Sequence, residues 1–164
     1  MSKLQKIVLS IMSITLIGLI IGVMLIPNGS DTPKVGFVKP EMDACAVDGV
    51  PQNVPSELAY QTAEFTKNFK IAMCGNLKAS KDNTADLYLT SFDTNEGYVR
   101  VVLYDENNNE LGTTGLIKPG QYIKSIKLNT APNEDKIVNA KVLSYDMDTY
   151  VSLGAVNVKL HLSV

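Results

Sequence analysis

Residues that build catalytic and metal sites are scarce in this sequence. It has one histidine, His161, and two cysteines, Cys45 and Cys74, too few to supply the four ligands of a structural zinc site. No nucleophile stands beside a base, and neither a glycine-rich phosphate loop nor a pair of catalytic carboxylates is recognisable. We therefore expect a protein that is not an enzyme and that holds no metal or cofactor.

Clustered positive charge is also lacking. Arg100 is the only arginine, the formal net charge is −2 at pH 7, and no run of basic residues occurs. Proteins that bind nucleic acid need basic clusters to neutralise backbone phosphates. The composition therefore argues against nucleic acid as a partner and predicts weak attraction to anionic lipid headgroups.

One polar stretch has the beginning of a calcium-binding pattern. Acidic and amide residues alternate at Asp105, Asn107 and Asn109, as at the start of an EF-hand loop. The EF-hand pattern then requires glycine where Glu110 stands and glutamate where Leu116 stands. Both positions fail, so the stretch predicts a polar hairpin turn rather than a calcium site.

Other polar residues that could belong to a site are interpreted as surface positions. Asp146 and Asp148 lie between two predicted strands, where a solvated loop is expected. His161 shares the polar face of the last predicted strand with Lys159 and has no obvious partner for proton transfer or metal binding. Neither feature predicts a catalytic or metal site.

A long apolar run dominates the N-terminus. Residues 7–26 carry no charge, and a helix of this length spans roughly 30 Å, the thickness of a bilayer core. Lys3 and Lys6 precede the run, so the positive-inside rule places residues 1–6 in the cytoplasm. We therefore predict a single-pass transmembrane signal anchor at 7–26.

A cleaved signal peptide is the alternative to this anchor. Signal peptides have apolar cores of about 7–15 residues and a cleavage site of small residues. The run here is longer, and the polar segment 27–34 after it offers no such site, which favours the uncleaved anchor. Gly18 and Gly22 stand four residues apart and would let two such helices approach closely, one route to a homo-oligomer.

Alternating apolar residues predict β-strands through most of the remaining chain, residues 35–164. In the strand at 98–104, Val99, Val101 and Leu103 share one face. The last strand alternates over residues 156–164, and turn residues separate about seven strands in total. The predicted fold is all-β, an immunoglobulin-like antiparallel β-sandwich, with a closed barrel as the alternative.

The two cysteines are expected to form a disulfide in an extracellular domain. A bond between Cys45 and Cys74 would close a loop of 28 intervening residues and stabilise the fold by roughly 3–4 kcal/mol. It would also tether the proline-broken segment before residue 67 to the sheet. Two free thiols are the alternative.

A candidate binding face lies on the outer side of the strand at 98–104. Tyr98, Arg100 and Tyr104 share this side, and tyrosine with arginine is the composition that interfaces favour. The alternative is ordinary cross-strand packing, in which tyrosines cover a half-exposed sheet and arginine lies across them. The pattern alone does not separate these readings.

Several segments of the predicted domain have a recognisable pattern: CGN (74–76), ADLYLTSFDTN (85–95), 104–129 and YDMDTYVSLGAV (145–156), with GLIKPG (115–120) the most specific. Through these segments, residues 35–164 resemble a group of small signal-anchored surface proteins of Gram-positive bacteria, of the clostridial type. It implies an extracellular β-sandwich at the cell surface. It implies no activity and supplies no catalytic residues.

Two functions are compatible with these patterns. The first is a membrane-anchored structural or interaction module that binds a protein, a second copy of itself or a cell-surface polymer. The second is an accessory subunit of a cell-envelope assembly, such as a secretion, conjugation or pilus-like machine. In the second case the helix at 7–26 would contribute contacts as well as anchorage.

Overall fold

Ten β-strands and one short helical turn make up the part of the chain that the computed structural model describes, residues 38–164. The strands are β1 (Val47–Asp48), β2 (Tyr60–Thr66), β3 (Phe69–Cys74), β4 (Asn76–Lys78), β5 (Thr84–Ser91), β6 (Tyr98–Tyr104), β7 (Glu110–Thr113), β8 (Gln121–Lys127), β9 (Lys136–Tyr145) and β10 (Ser152–Ser163). The predicted anchor with Gly18 and Gly22, and the linker at 27–34, lie outside these residues. From residue 38 onward, no helix has the length and apolar character needed to cross a membrane.

The strands form two sheets of five. The first sheet has the order β1-β8-β5-β3-β2 and the second has the order β4-β10-β9-β6-β7. Every pairing is antiparallel except that of β4 with β10. The predicted all-β class is confirmed, and the arrangement is β-sandwich-like. Ten strands replace the seven that were expected, because β1, β2 and β4 are short or half-exposed and carry no clear alternation.

One hydrophobic core receives side chains from both sheets. Val99, Val101 and Leu103 on β6 are fully buried, so the predicted core face of this strand is confirmed. From the first sheet, Leu89 on β5 and Ile123 on β8 enter the same cluster. The core therefore lies between the sheets, and the other side of β6 faces outward.

The last strand follows its predicted alternation only in part. Leu160 and Leu162 of β10 are buried, whereas Val156 and Val158 are half-buried and Val164 is exposed. Only the C-terminal end of β10 has a neighbour on each side, since β4 pairs with residues 161–163 alone. Along residues 152–160, the edge of β10 that faces away from β9 pairs with no other described strand.

The segment before β2 is attached to both sheets by backbone contacts. Met42 pairs with Leu116 next to the second sheet, and β1 pairs with β8 in the first. Asp43 accepts a 2.8 Å hydrogen bond from the Gly115 amide through its carboxylate. A Cβ at Gly115 would lie 2.5 Å from the Asp43 backbone nitrogen, so glycine is required for this approach.

The predicted disulfide is not formed in the structure. Both cysteines are free thiols, with Cys45 exposed next to β1 and Cys74 buried on β3. Strands β8 and β5 lie between β1 and β3, which separates β1 from β3 by roughly 14 Å at about 4.8 Å per strand. A disulfide needs Cα atoms within about 7 Å of each other, so this strand order keeps the two sulfurs apart.

The two sheets end together at two opposite ends of the domain. We call the proximal end the one where the described chain begins, because Lys39 lies against Tyr150 in the β9–β10 loop. The β2–β3 turn and the β5–β6 loop lie at the same end, since Ser91 pairs with Ile71 and Tyr98 with Tyr145. The distal end carries the β6–β7 turn and the β8–β9 loop.

Candidate functional site

The three residues of the predicted binding face lie along the outer side of β6. Tyr98, Arg100 and Tyr104 are all half-buried. The residues that point into the core are Val99, Val101 and Leu103. The three outer residues span the seven residues of β6, and Tyr98 and Tyr104 are therefore roughly 20 Å apart along the strand. Each therefore has its own neighbours, and the three do not converge on one point.

Arg100 is held by contacts within the domain. Its Nε donates hydrogen bonds of 3.1 Å to the Thr113 hydroxyl and to the Thr114 carbonyl. The Thr114 hydroxyl in turn accepts a 3.0 Å hydrogen bond from the Val101 amide. Arg100 thus ties β6 to the last residue of β7 and to the residue that follows it.

Tyr98 belongs to a small aromatic cluster at the proximal end. Its ring lies 5.5 Å from that of Tyr150, and the Lys39 ammonium lies 3.8 Å from the centre of the Tyr150 ring. The hydrogen bond between the two hydroxyls raises the pKa of Tyr98. A hydrogen bond from Lys39 lowers the pKa of Tyr150. The cluster therefore joins the first described residues to β6.

Tyr104 lines an open groove on the outer face of the second sheet. The groove has a volume of about 520 Å³, and its other lining residues are Asn108, Asn139, Lys141 and Asn157. The strand register explains this grouping, since Tyr104 lies opposite Asn139 and Lys141 lies opposite Asn157. Side chains of β6, β9 and β10 thus meet at one place that the sequence alone did not reveal.

The polar side chains of this groove reach solvent. Asn157 is exposed, and Tyr104 and Asn139 are half-buried. Two amides, a phenol and the Lys141 ammonium offer both donors and acceptors, and the Tyr104 ring offers an apolar face. Such a set can bind a peptide or a glycan, but it contains no nucleophile with a neighbouring base.

The polar turns that were considered as metal sites use their carboxylates internally. Asp105 accepts 2.8 Å hydrogen bonds from the Asn107 and Asn109 amides and from the Asn109 side chain. Asp146 likewise accepts from the amide and hydroxyl of Thr149 at 2.7 Å. These bonds lower the pKa of both carboxyl groups. In the described part of the chain, no group of three or more His, Cys, Asp or Glu residues is placed to hold a metal ion.

The groove residues that the sequence analysis missed carry only a faint signal. Asn157 alternates with the apolar residues of β10, and Asn139 and Lys141 alternate with those of β9. The alternation identifies them as outward-facing, but only the register between β9 and β10 shows that they are neighbours. Sequence therefore predicts which residues face outward without predicting which of them meet.

Comparisons with known proteins add no further assignment. No family model, no curated protein and no solved structure matches this chain. The resemblance to clostridial-type surface proteins therefore stays a prediction from sequence. Any functional proposal rests on the geometry of the domain and on the sequence pattern that precedes it.

Proposed function

We propose that the protein is a membrane-anchored extracellular interaction module with no catalytic activity. In this proposal, residues 7–26 form the single transmembrane anchor and the domain is an immunoglobulin-like β-sandwich outside the cell. Its partner is a protein or a polymer of the cell surface. The observation that supports binding most directly is the groove beside Tyr104, where Asn139, Lys141 and Asn157 place polar side chains next to a tyrosine ring.

The groove has the features of a recognition surface rather than of a reaction site. It lies on the outer face of the second sheet, and strands β6, β9 and β10 each contribute to it. Its tyrosine, amides and ammonium suit hydrogen-bonded contacts with a polar chain. A ligand bound there would satisfy groups that water satisfies in the free protein, which makes binding sensitive to single side chains.

Crosslinking on intact cells, followed by mass spectrometry of the captured species, tests this function. We expect the wild-type chain to capture a reproducible partner and the Tyr104→Ala/Asn157→Ala variant to lose it. The matched control is Tyr122→Ala/Lys124→Ala on the outer face of the first sheet, which should leave capture unchanged. Both variants change outward-facing residues, so thermal stability should stay within about 1 kcal/mol of wild type. Equal capture by all three proteins would contradict the groove as the binding site.

An accessory role in an envelope assembly is the second candidate, and the free edge of β10 favours it. Along residues 152–160 this edge pairs with no strand of residues 38–164, and such an edge can accept an added strand from another subunit. In such an assembly Gly18→Leu with Gly22→Leu should abolish function. A pure anchor should tolerate the same change.

A further inference from the structure

Exposed apolar side chains are concentrated at the proximal end of the domain. Leu153 is 60% exposed and Val151 is 55% exposed, both beside the β9–β10 loop that also carries Met147. Val38 and Val50 are exposed at the same end, Val50 next to the turn that precedes β8. Solvent-exposed apolar groups gathered in this way mark a surface that meets a partner or a lipid phase.

The aromatic cluster lies among these apolar residues. Tyr98 and Tyr150 pack ring to ring, and Lys39 places its ammonium over the second ring. Tyrosine is enriched at the level of lipid headgroups because its ring is apolar and its hydroxyl is polar. Lysine beside it can keep its charge in water while its methylene groups cover apolar surface.

An apolar patch can contact a protein or a lipid surface. The place where the chain enters the domain favours a lipid surface. Val38 begins the described chain at the proximal end, and only residues 27–37 separate it from the predicted anchor. Eleven residues reach at most roughly 40 Å when fully extended. The proximal end is therefore the part of the domain nearest to the bilayer, an argument that rests on the anchor of the proposed function.

The charges at this end are balanced. Lys39 and Lys118 lie near Tyr150, and Asp148 lies near Tyr98. Asp146 is nearby but uses its carboxylate within its own turn. Attraction to anionic headgroups is consequently weak, and burial of apolar side chains is the force available for lipid contact. Such contact changes little with ionic strength, because screening acts on charges.

We propose that the proximal end rests on the outer surface of the membrane, with Val151 and Leu153 inserted among the lipids and the Tyr98–Tyr150 pair at headgroup level. The domain is then oriented by two elements, its tether and this lipid-contacting surface. Such an orientation points the distal end away from the cell. It also leaves the groove beside Tyr104, on the side of the sheet, accessible to a partner.

Tryptophan fluorescence in the full-length protein tests this orientation, since the natural chain contains no tryptophan. The Leu153→Trp variant is reconstituted into phosphatidylcholine vesicles with and without lipids brominated near the headgroup. The matched control is Ile137→Trp, an exposed apolar residue at the distal end of β9. Val151→Trp serves as a second probe if Leu153→Trp misfolds.

We expect brominated lipid to remove most of the fluorescence at position 153 and to leave that at 137 unchanged, at low and high salt alike. Absence of quenching at 153 and 151 in protein that stays in the vesicles after alkaline extraction would overturn the lipid contact while keeping the anchor. Quenching at 137 would overturn the orientation. Release of the protein by alkaline extraction would overturn the anchor and the lipid contact together.

Discussion

The two ends of the domain close the same pair of sheets with different chemistry. At the proximal end, apolar side chains such as Leu153 remain exposed and the Asn95 amide is buried in the β5–β6 loop. At the distal end, an open polar depression is lined by acidic residues, among them Glu106, Glu134 and Asp135. The strands between the ends share one core, so the difference comes from the loops and from the strand residues next to them, such as Leu153 at the start of β10. These residues therefore decide what each end can contact.

The largest effect is expected from removing the Asn95 amide. Its Oδ1 accepts a 2.7 Å hydrogen bond from the Lys70 amide, and its Nδ2 donates to the Lys70 carbonyl at 2.8 Å and to Ser91 at 2.9 Å. Asn95→Leu leaves the Lys70 groups with poorer partners in a site where Asn95 is only 4% exposed. We expect a loss of about 2–4 kcal/mol in the free energy of unfolding, measured by urea denaturation in mild detergent.

Asn129→Leu provides the control at the distal end. Its Nδ2 donates a 2.9 Å hydrogen bond to the Glu110 carbonyl, but this contact is exposed to water. Water replaces a lost exposed hydrogen bond, so the expected loss is below about 1 kcal/mol. Equal effects of the two substitutions would show that the proximal loop is no better buried than the distal one, and the comparison between the ends would fail.

The sequence predicts a strand and its buried face where apolar and polar residues alternate. It does not predict structure that depends on which strands pair. The faces of β6 follow from alternation alone, since Val99 and Val101 could only be buried together. The edge strand β2 could not be predicted, because its residues are exposed or half-buried and its alternation is weak. A 3-10 turn at Ser56–Leu58, ended by the left-handed Ala59, leads into this strand, which carries Phe65.

For the candidate site, too, the sequence predicts which way a side chain faces but not which residues are its neighbours. Tyr104 was placed on an outer face correctly, but its groove depends on the register of three strands. The contacts of Arg100 were equally hidden, because its hydrogen bonds reach the end of β7 and the residue after it. The prediction of a disulfide between Cys45 and Cys74 was wrong for a related reason. The spacing of two cysteines in the sequence does not reveal how many strands separate them in the sheet. Alternation gives the side of a sheet, and only pairing gives the neighbours.

The reactivity of the two thiols tests whether Cys45 is exposed and Cys74 is buried, as the structure has them. Burial raises the pKa of the Cys74 thiol to about 12, and the nearby Asp86 carboxylate adds to this shift. The exposed Cys45 should therefore react with a thiol reagent in the native protein, while Cys74 should react only after unfolding. Counting modified thiols by mass spectrometry gives one before denaturation and two after it. If neither reacts in urea until a reductant is added, the cysteines are paired and β1 does not lie where the structure places it.

The same thiol predicts a loss of stability at high pH. A thiol whose pKa is higher in the folded than in the unfolded chain stabilises the fold fully below the unfolded value of 9.0. Its contribution is lost as pH rises from there towards 12, at about 1.4 kcal/mol for each pH unit. Cys74→Ala should flatten this alkaline slope, and Cys45→Ala should leave it unchanged.

The smallest effects are expected from the carboxylates that hold exposed turns. Hydrogen bonds from Asn109 lower the pKa of Asp105 at the distal end, and bonds from Thr149 lower that of Asp146 at the proximal end. A carboxyl group with a lowered folded pKa stabilises the fold above its unfolded value, and the contribution is lost as pH falls through the folded value. Asp105→Asn and Asp146→Asn should each reduce the acid-side slope of unfolding slightly, with little change at neutral pH.

These two variants form a matched pair because the same kind of turn occurs at both ends. If they behave alike in water, the two turns contribute equally to stability and the ends differ in the residues around the turns. The reconstituted protein then separates the ends, since the acid-side change at Asp146 should shrink against a bilayer while that at Asp105 should not. Identical behaviour of the two variants in vesicles would show that the proximal end remains in water. That result would contradict the proposed lipid contact.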